Sequence, residues 1–269
     1  MHLQHPVNVP GIQAVRVDLR DQDAVAGLIK EIRPDAVIHA AAVSDADFCQ
    51  THEAESYPLN VETPVRLAGL CRSRSIPYLF ISSDLIFDGL KGHYRETDLP
   101  RPRSCYGGQK VLAEQGVLKA YPEAVVCRLP LLIGIAGPGG KGILPMLRAM
   151  REGRPLRLFM DEYRTPLTTR SAVAGLQVVL GRARGIIHLG GPERVSRYDL
   201  GRLIAEIFGE KEAELVPCWQ ADIPTPAPRP QDVSLDSSMA FGLGFRPLPL
   251  AEQLRELCSE YLKIVSSEQ

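Results

Sequence analysis

Short apolar runs alternate with segments of helical periodicity through the first half of the chain. "AVRVDL" at 14–19 reads as a strand. "DQDAVAGLIKEIR" follows as a helix, acidic where it starts and basic where it ends, the arrangement its dipole favours. "DAVIHAAA" at 35–42 and "PYLFISS" at 77–83 read as buried strands, with "NVETPVRLAGLCRSR" as the helix between them. "YGGQKVLAEQGVLKAY" is a further helix, and "AVVCRLPLLIG" is a strand that runs into a loop. Continuous apolar strands separated by helices predict an α/β fold with a parallel sheet covered on both faces. Ligands of such sheets bind beyond the carboxyl ends of the strands, where Ala42 and Ser83 fall.

After Gly134 the alternation loosens. "GPGGKG" reads as a loop, and "ILPMLRAMREG" and "TRSAVAGLQVVLGRA" as helices. "GIIHLGG" is a short strand, and "SRYDLGRLIAEIFG" is a helix with a Ser196 cap and a Gly209 stop. "DIPTPAPRPQD" is proline-rich and extended, and "LPLAEQLRELCSEYLKIV" closes the chain as an amphipathic helix. The expected organisation is a main domain over 1–134 and, over 135–269, a smaller substrate-binding lobe interleaved with it.

Composition narrows the partners. The chain has 269 residues, enough for a sizeable core, and 45% of them are apolar. A net charge of −1 gives no electrostatic reason to expect nucleic acid or an anionic membrane. No apolar run approaches a membrane span, and the start, "MHLQHPVNVPGIQ", has no apolar signal core. The 6 cysteines are scattered without C-x-x-C, as expected for reduced thiols of a cytoplasmic protein rather than staples or metal ligands.

The candidate chemistry lies in "FISSDLIFDGLKGHYRETDLPRPRSCYGGQK", an apolar strand ending on serines and followed by Tyr106 and Lys110. On a helix these two share one face. A free phenol, with a pKa near ~10, is a poor acid or base at neutral pH. A neighbouring ammonium lowers that value and makes it a usable proton donor to a carbonyl. A serine at the adjacent strand end can hydrogen-bond the same oxygen. The parts suit carbonyl reduction. Alone the pair is weak, because a plain surface helix with an ordinary tyrosine and lysine reads the same way.

The wider pattern is specific. "SSDLIFDG", "YRETDLPRP" and "YGGQKVLAE" occur in order, flanked by "RPDAVIHAAAVSDADFCQ", Asn60 in "LNVE", "CRLPLLIG", "GIIHLGGPERVSRYDLGRLIAEIFG" and "RPQDVSLDSSMAFGLGF". Together they resemble the extended short-chain dehydrogenase/reductases typified by dTDP-4-dehydrorhamnose reductase (RmlD-like), to which the regulatory subunit of methionine adenosyltransferase is related. The resemblance implies a Rossmann-like doubly wound parallel sheet, NADP or NAD as cofactor and a nucleotide-sugar substrate, and it leaves a homodimer open. It implies that Ser83 orients the substrate carbonyl, that Tyr106 donates the proton and also contacts the cofactor, and that Lys110 binds the nicotinamide ribose and tunes Tyr106. Asp18 and Leu19 would lie near the adenine. Ala40, Ala41 and Ala42 would line the ribose-phosphate side, and Pro130 and Leu131 would present backbone to the nicotinamide. Ser44 and Asp45 would touch substrate or cap a loop. Arg229 would meet the substrate diphosphate or be a solvated arginine. Asp84 is expected to cap its turn, and His39 to be a satisfied core histidine.

One family feature is missing where it is expected. Members begin with a strand and G-x-x-G-x-x-G, whose amides hold the cofactor pyrophosphate. Here the only glycines near the start are Gly11 and Gly27, and the later "GPGGKG" is not at the first turn of the sheet. The expectation is a sheet lacking its first strands, with roughly 35 residues absent against the family pattern. The implied activity is a 4-keto nucleotide-sugar reductase, weakened or lost in this chain. The alternative is a non-catalytic regulatory or binding protein that keeps the fold.

Overall fold

The computed structural model describes residues 11–135 and 142–267. Helix α1 (Gln22–Ile32) opens on Asp21, whose side chain accepts from the Ala24 amide. Strand β1 (Val37–His39) leads to the short helices α2 (Ala46–Thr51) and α3 (Glu53–Tyr57). A π-helical turn at Pro58–Glu62 then runs into α4 (Thr63–Arg72). Strand β2 (Tyr78–Ser83) ends in a 3₁₀ turn, Asp84–Ile86, and is followed by α5 (Cys105–Ala120) and β3 (Val125–Leu129). The chain continues through β4 (Leu132–Ile133), α6 (Leu144–Arg151), β5 (Leu156–Phe159), β6 (Tyr163–Arg164) and β7 (Leu167–Thr168). Helix α7 (Thr169–Val179), β8 (Gly185–His188), β9 (Val195–Ser196) and α8 (Arg197–Ile207) come next. Strand β10 (Leu215–Cys218), α9 (Ser238–Gly242) and α10 (Leu250–Ser267) complete it.

The main sheet has the order β1-β2-β3-β8, and every pair in it is parallel. Helices α1, α4 and α5 cover one face, where Ile29, Leu67 and Val117 pack with Tyr78, Phe80 and Val126. Helix α7 covers the other, with Leu176 and Val179 packed with Leu79, Val125, Cys127 and Ile187. This is the Rossmann-like layering expected of α/β alternation. Strand β8 and α7 both come from beyond residue 134. A further core of α6, α8 and α10 centres on Leu147, Leu200, Ile204 and Leu254. Among the described residues no helix is long and apolar enough to cross a membrane, and all six cysteines are free.

Two expected strands differ. Residues 14–19 form no named strand, and Arg16 makes only an isolated bridge. A strand needs a partner's backbone groups, and an apolar run does not supply them. Residues 35–42 contribute only the three of β1, which is an edge strand of the main sheet among the described residues. Its Ile38 side chain is 45% exposed, so this edge is not the buried strand expected.

Glycine decides how closely α5 approaches the sheet end. A Cβ on Gly107 would collide with the Leu85 carbonyl oxygen and lie 2.9 Å from Pro102 Cβ, whereas one on Gly108 would meet nothing within 4 Å. The two substitutions therefore have opposite expected effects. Gly108→Ala should stabilise by about 0.5–1 kcal/mol through helix propensity. Gly107→Ala should destabilise by about 1–3 kcal/mol through overpacking. Denaturant melts of both variants check this, and equal effects would show that the approach of α5 is not sterically set.

Candidate active site

Parallel register brings the strand ends level. Ser83, the last residue of β2, is the register partner of Leu129, the last of β3. Ser83 keeps extended backbone, and its Oγ accepts from the Leu85 amide at 3.2 Å, capping the 3₁₀ turn. The same hydroxyl donates to Asp84 Oδ1 at 3.2 Å. Helix α5 starts on Ser104, which accepts from the Gly107 amide, and so carries Tyr106 in its first turn and Lys110 one turn later.

Lys110 is 2% exposed, and Tyr106 is 7% exposed. Lys110 Nζ donates to the Ile81 carbonyl at 2.8 Å and lies 4.6 Å from the Phe80 ring centre and 5.9 Å from that of Tyr106. Burial pulls its pKa down to about 8, against the opposing pull of Glu114 and Cys49. The Tyr106 phenol is raised, first by burial and then by the Asp84 carboxylate, with a Ser83 hydrogen bond opposing. This corrects the expectation of a lowered phenol. Both groups are buried together, and the ammonium donates to the Ile81 carbonyl.

The expected cofactor residues divide. Ala40, Ala41 and Ala42 follow β1 at the same carboxyl end, with His39 the register partner of Phe80. Asn60, in the π-helical turn, fixes the next residue: it accepts from the Val43 amide at 2.8 Å and donates to the Val43 carbonyl at 3.0 Å. Asn60 Nδ2 also donates to Gln109 Oε1 at 2.7 Å, which ties this loop to α5. Pro130 is buried just past β3, while the Leu131 carbonyl is already engaged by the Leu167 amide. Asp18 is bound by Arg20, whose side chain lowers the carboxyl to about 2. Leu19 lines a separate groove between α1 and α4.

A cavity of about 230 Å³ opens beside the site, lined in part by Ser44, Asp45, Ser104, Arg164 and Arg229. Asp45 caps α2 by accepting from the Phe48 amide. Arg229 is not simply solvated. Its side chain is 40% exposed and lies 3.8 Å from Asp47 and 3.6 Å from Glu162. Glu162 also draws Arg164 to 3.5 Å and Arg197 to 3.9 Å.

Two further readings are corrected. Ser83, not Asp84, caps the turn; Asp84 is buried and receives Arg164 Nη1 at 2.8 Å. Burial raises its carboxyl, with Arg164 opposing. His39 is buried but not satisfied, because its Nε2 has no hydrogen-bond partner among the described residues. Burial, and then Lys110, bring its pKa down to about 4. Asp84 Oδ2, Arg164 Nε and Glu162 Oε2 are likewise buried without a hydrogen bond.

Residues that motif reading left without a role surround the site. Glu114, one turn beyond Lys110, is bound by Arg128 and Ser82 inside the sheet. A signal existed for Arg128: an arginine in the apolar run "AVVCRLPLLIG" must be paired if it is buried. The spacing G-x-x-G-x-x-G does recur, at Gly134, Gly137 and Gly140. It follows β4, which pairs with β7 outside the main sheet, and residues 136–141 lie outside the described set.

The probable low-salt glycan biosynthesis reductase Agl14 of Haloferax volcanii is 31% identical over 90% of this chain and 83% of its own. The methionine adenosyltransferase 2 subunit beta of Danio rerio is 27% identical over 90% of this chain and 77% of its own. A crystal structure of a dTDP-4-dehydrorhamnose reductase from Clostridium acetobutylicum superposes with a TM-score of 0.84 at 27% identity, covering 91% of this chain and 88% of that one. The RmlD substrate binding domain family matches residues 2–263, and with that span and these relatives the chain belongs to the dTDP-4-dehydrorhamnose reductase-like, RmlD substrate-binding-domain family.

Proposed function

We propose that the protein reduces the keto group of a 4-keto nucleotide sugar, with NADP or NAD as the nicotinamide cofactor. The observation that supports this most is the convergence of Ser83, Tyr106 and a buried Lys110 at the carboxyl end of a parallel sheet, beside a polar cavity. The nicotinamide-ribose half of a cofactor fits these residues. Small side chains at Ala40, Ala41 and Ala42 permit close approach, and Lys110 offers donors to ribose hydroxyls. A bound nicotinamide supplies the hydride.

The chain's own residues do the rest. Ser83 turns its one hydroxyl proton from Asp84 to the substrate carbonyl oxygen and fixes its position. Tyr106 gives its phenolic proton to that oxygen as negative charge develops there. Lys110 steadies the resulting phenolate, which then recovers a proton from solvent. A raised phenol pKa keeps Tyr106 protonated and ready to donate at neutral pH. Arg229 is the candidate for the substrate diphosphate, with Ser44 and Ser104 lining the same cavity.

A second reading, a regulatory subunit without turnover, is favoured by one observation. No turn with the spacing G-x-x-G-x-x-G follows a strand of the main sheet among the described residues. The subunit-beta relative belongs to the same group of sequences.

Three kinetic variants separate the readings when measured at millimolar cofactor. Tyr106→Phe should abolish reduction while leaving cofactor affinity nearly unchanged, because the phenol serves the carbonyl. Lys110→Met should weaken both. Ser83→Ala should lower turnover by roughly 10²–10³, the usual effect of losing one transition-state hydrogen bond. Near-wild-type turnover in Tyr106→Phe would overturn the mechanism and leave the regulatory reading standing.

Cofactor binding is a separate measurement. With contacts at the ribose end alone, NAD(P)H should bind weakly, and a fluorescence titration should show no saturation in the micromolar range. Tight micromolar binding would mean that the pyrophosphate is held by groups not identified above.

A further inference from the structure

Behind the reactive strand end lies a second set of polar groups that takes no direct part in the chemistry proposed. Ser82, Arg128 and His188 are consecutive register partners across β2, β3 and β8, and all three are buried. From α5, Glu114 drops onto this row. Ser82 Oγ donates to Glu114 Oε1 at 2.5 Å. Arg128 Nε donates to the same oxygen at 3.1 Å, and Nη2 donates to Oε2 at 2.7 Å. Burial and the Arg128 charge hold the His188 pKa at about 3, so the ring is neutral. Its Nδ1 donates to the Tyr94 carbonyl at 3.0 Å, and its Nε2 accepts from Arg128 Nη1 at 3.3 Å.

This row is saturated with hydrogen bonds, yet it contains a buried ion pair. A buried pair seldom stabilises a fold more than apolar side chains of the same volume, because both ions lose their hydration. Its place in the fold suggests another use. Tyr106, Lys110 and Glu114 recur on one face of α5 at helical spacing. Lys110 holds the carbonyl of Ile81, and Glu114 holds the side chain of Ser82. The two residues before Ser83 are thus tied to the helix that carries Tyr106.

We propose that Glu114, seated on Arg128, is a positioning residue that locks the end of β2 to α5 and so sets Ser83 against Tyr106. This rests on the reductase reading and deepens it. A second consequence concerns charge. The titratable groups facing Lys110 are Tyr106 and Glu114 on α5, Cys49 on α2 and His39 on β1. At neutral pH His39 is uncharged and the Cys49 thiol is raised, so Glu114 is the carboxylate that keeps Lys110 cationic. Removing it lowers a pKa already near 8 and drains the ammonium near neutrality.

Two double variants test this without leaving Arg128 buried and unpaired. Glu114→Leu/Arg128→Met removes the clamp and the charge. Glu114→Gln/Arg128→Met removes the charge but keeps an acceptor for Ser82. Side-chain NMR of labelled lysines, with the Lys110 signal assigned by its loss in Lys110→Met, reads the ammonium directly. In both variants the Lys110 pKa should fall, by less than the loss of one nearby opposite charge alone would give, because the Arg128 cation behind Glu114 goes with it. Turnover should fall roughly tenfold or more with the leucine, and be largely restored by the glutamine at a pH where Lys110 is charged. Thermal melting should stay cooperative in both. Unchanged turnover and an unchanged Lys110 pKa in the leucine variant would overturn the proposal and leave the row as packing. If the parent protein shows no reduction at all, the reductase reading fails, while the Lys110 titration still decides whether Glu114 governs that charge.

Discussion

Lys110 exchanges water for one carbonyl oxygen and the faces of two rings. An ammonium buried this deeply is costly unless its donors and its charge are both met. The Ile81 carbonyl meets a donor, the Phe80 ring lies within cation–π reach, and Glu114 supplies the opposing charge. These partners sit on β2 and α5, so the lysine fixes how the helix seats on the strand. Gly107 then allows α5 to close on the Leu85 carbonyl, where a side chain would hold it off. The distance between a strand-end serine and a helix-borne tyrosine follows from this seating, not from either element alone.

The second half of the chain reaches the same point through charge. Asp84, next to Ser83, is held by Arg164 of β6, and Arg164 shares Glu162 with Arg197 and Arg229. The Ala227 amide donates to Asp47 of α2 at 3.0 Å, so the proline-rich segment is also pinned to the main domain. The cavity is therefore walled by residues from both halves of the chain. A change at Arg164 is felt at Asp84, and through Asp84 at the Ser83 hydroxyl and the Tyr106 phenol.

Much of this was legible in the sequence where the signal was local. The apolar run ending at Ser83 and the helix bearing Tyr106 and Lys110 form where their periodicity places them. Ser196 caps α8, and Gly209 follows it with φ 74. What escaped depends on partners distant in sequence. Residues 14–19 have strand composition but pair with no named strand, and Ile38 looks core-like although it lies on an edge. The π-helical turn that aims Asn60 at Val43 has no periodicity of its own. The phenol of Tyr106 was expected to follow its nearest cation by spacing. Burial and the Asp84 carboxylate set its direction instead, and neither is visible before the chain is folded.

The polar groups around the site fall into two classes, and the division has a physical meaning. On the sheet side, Ser82, Glu114, Arg128 and His188 find one another, as buried polar groups must if they are to hold a fixed geometry. Around Arg164, Asp84 Oδ2, Arg164 Nε and Glu162 Oε2 are buried without a hydrogen bond. Glu162 Oε2 still faces Arg229 at 3.6 Å, so its charge is met although no hydrogen bond is made. The satisfied row lies behind the strand end, where rigidity serves positioning. Of the residues with an unpaired atom, Arg164 lines the cavity, while Asp84 and Glu162 lie behind it as its charge partners. The interior is thus fully hydrogen-bonded in the row behind the strand end and less completely so around Arg164.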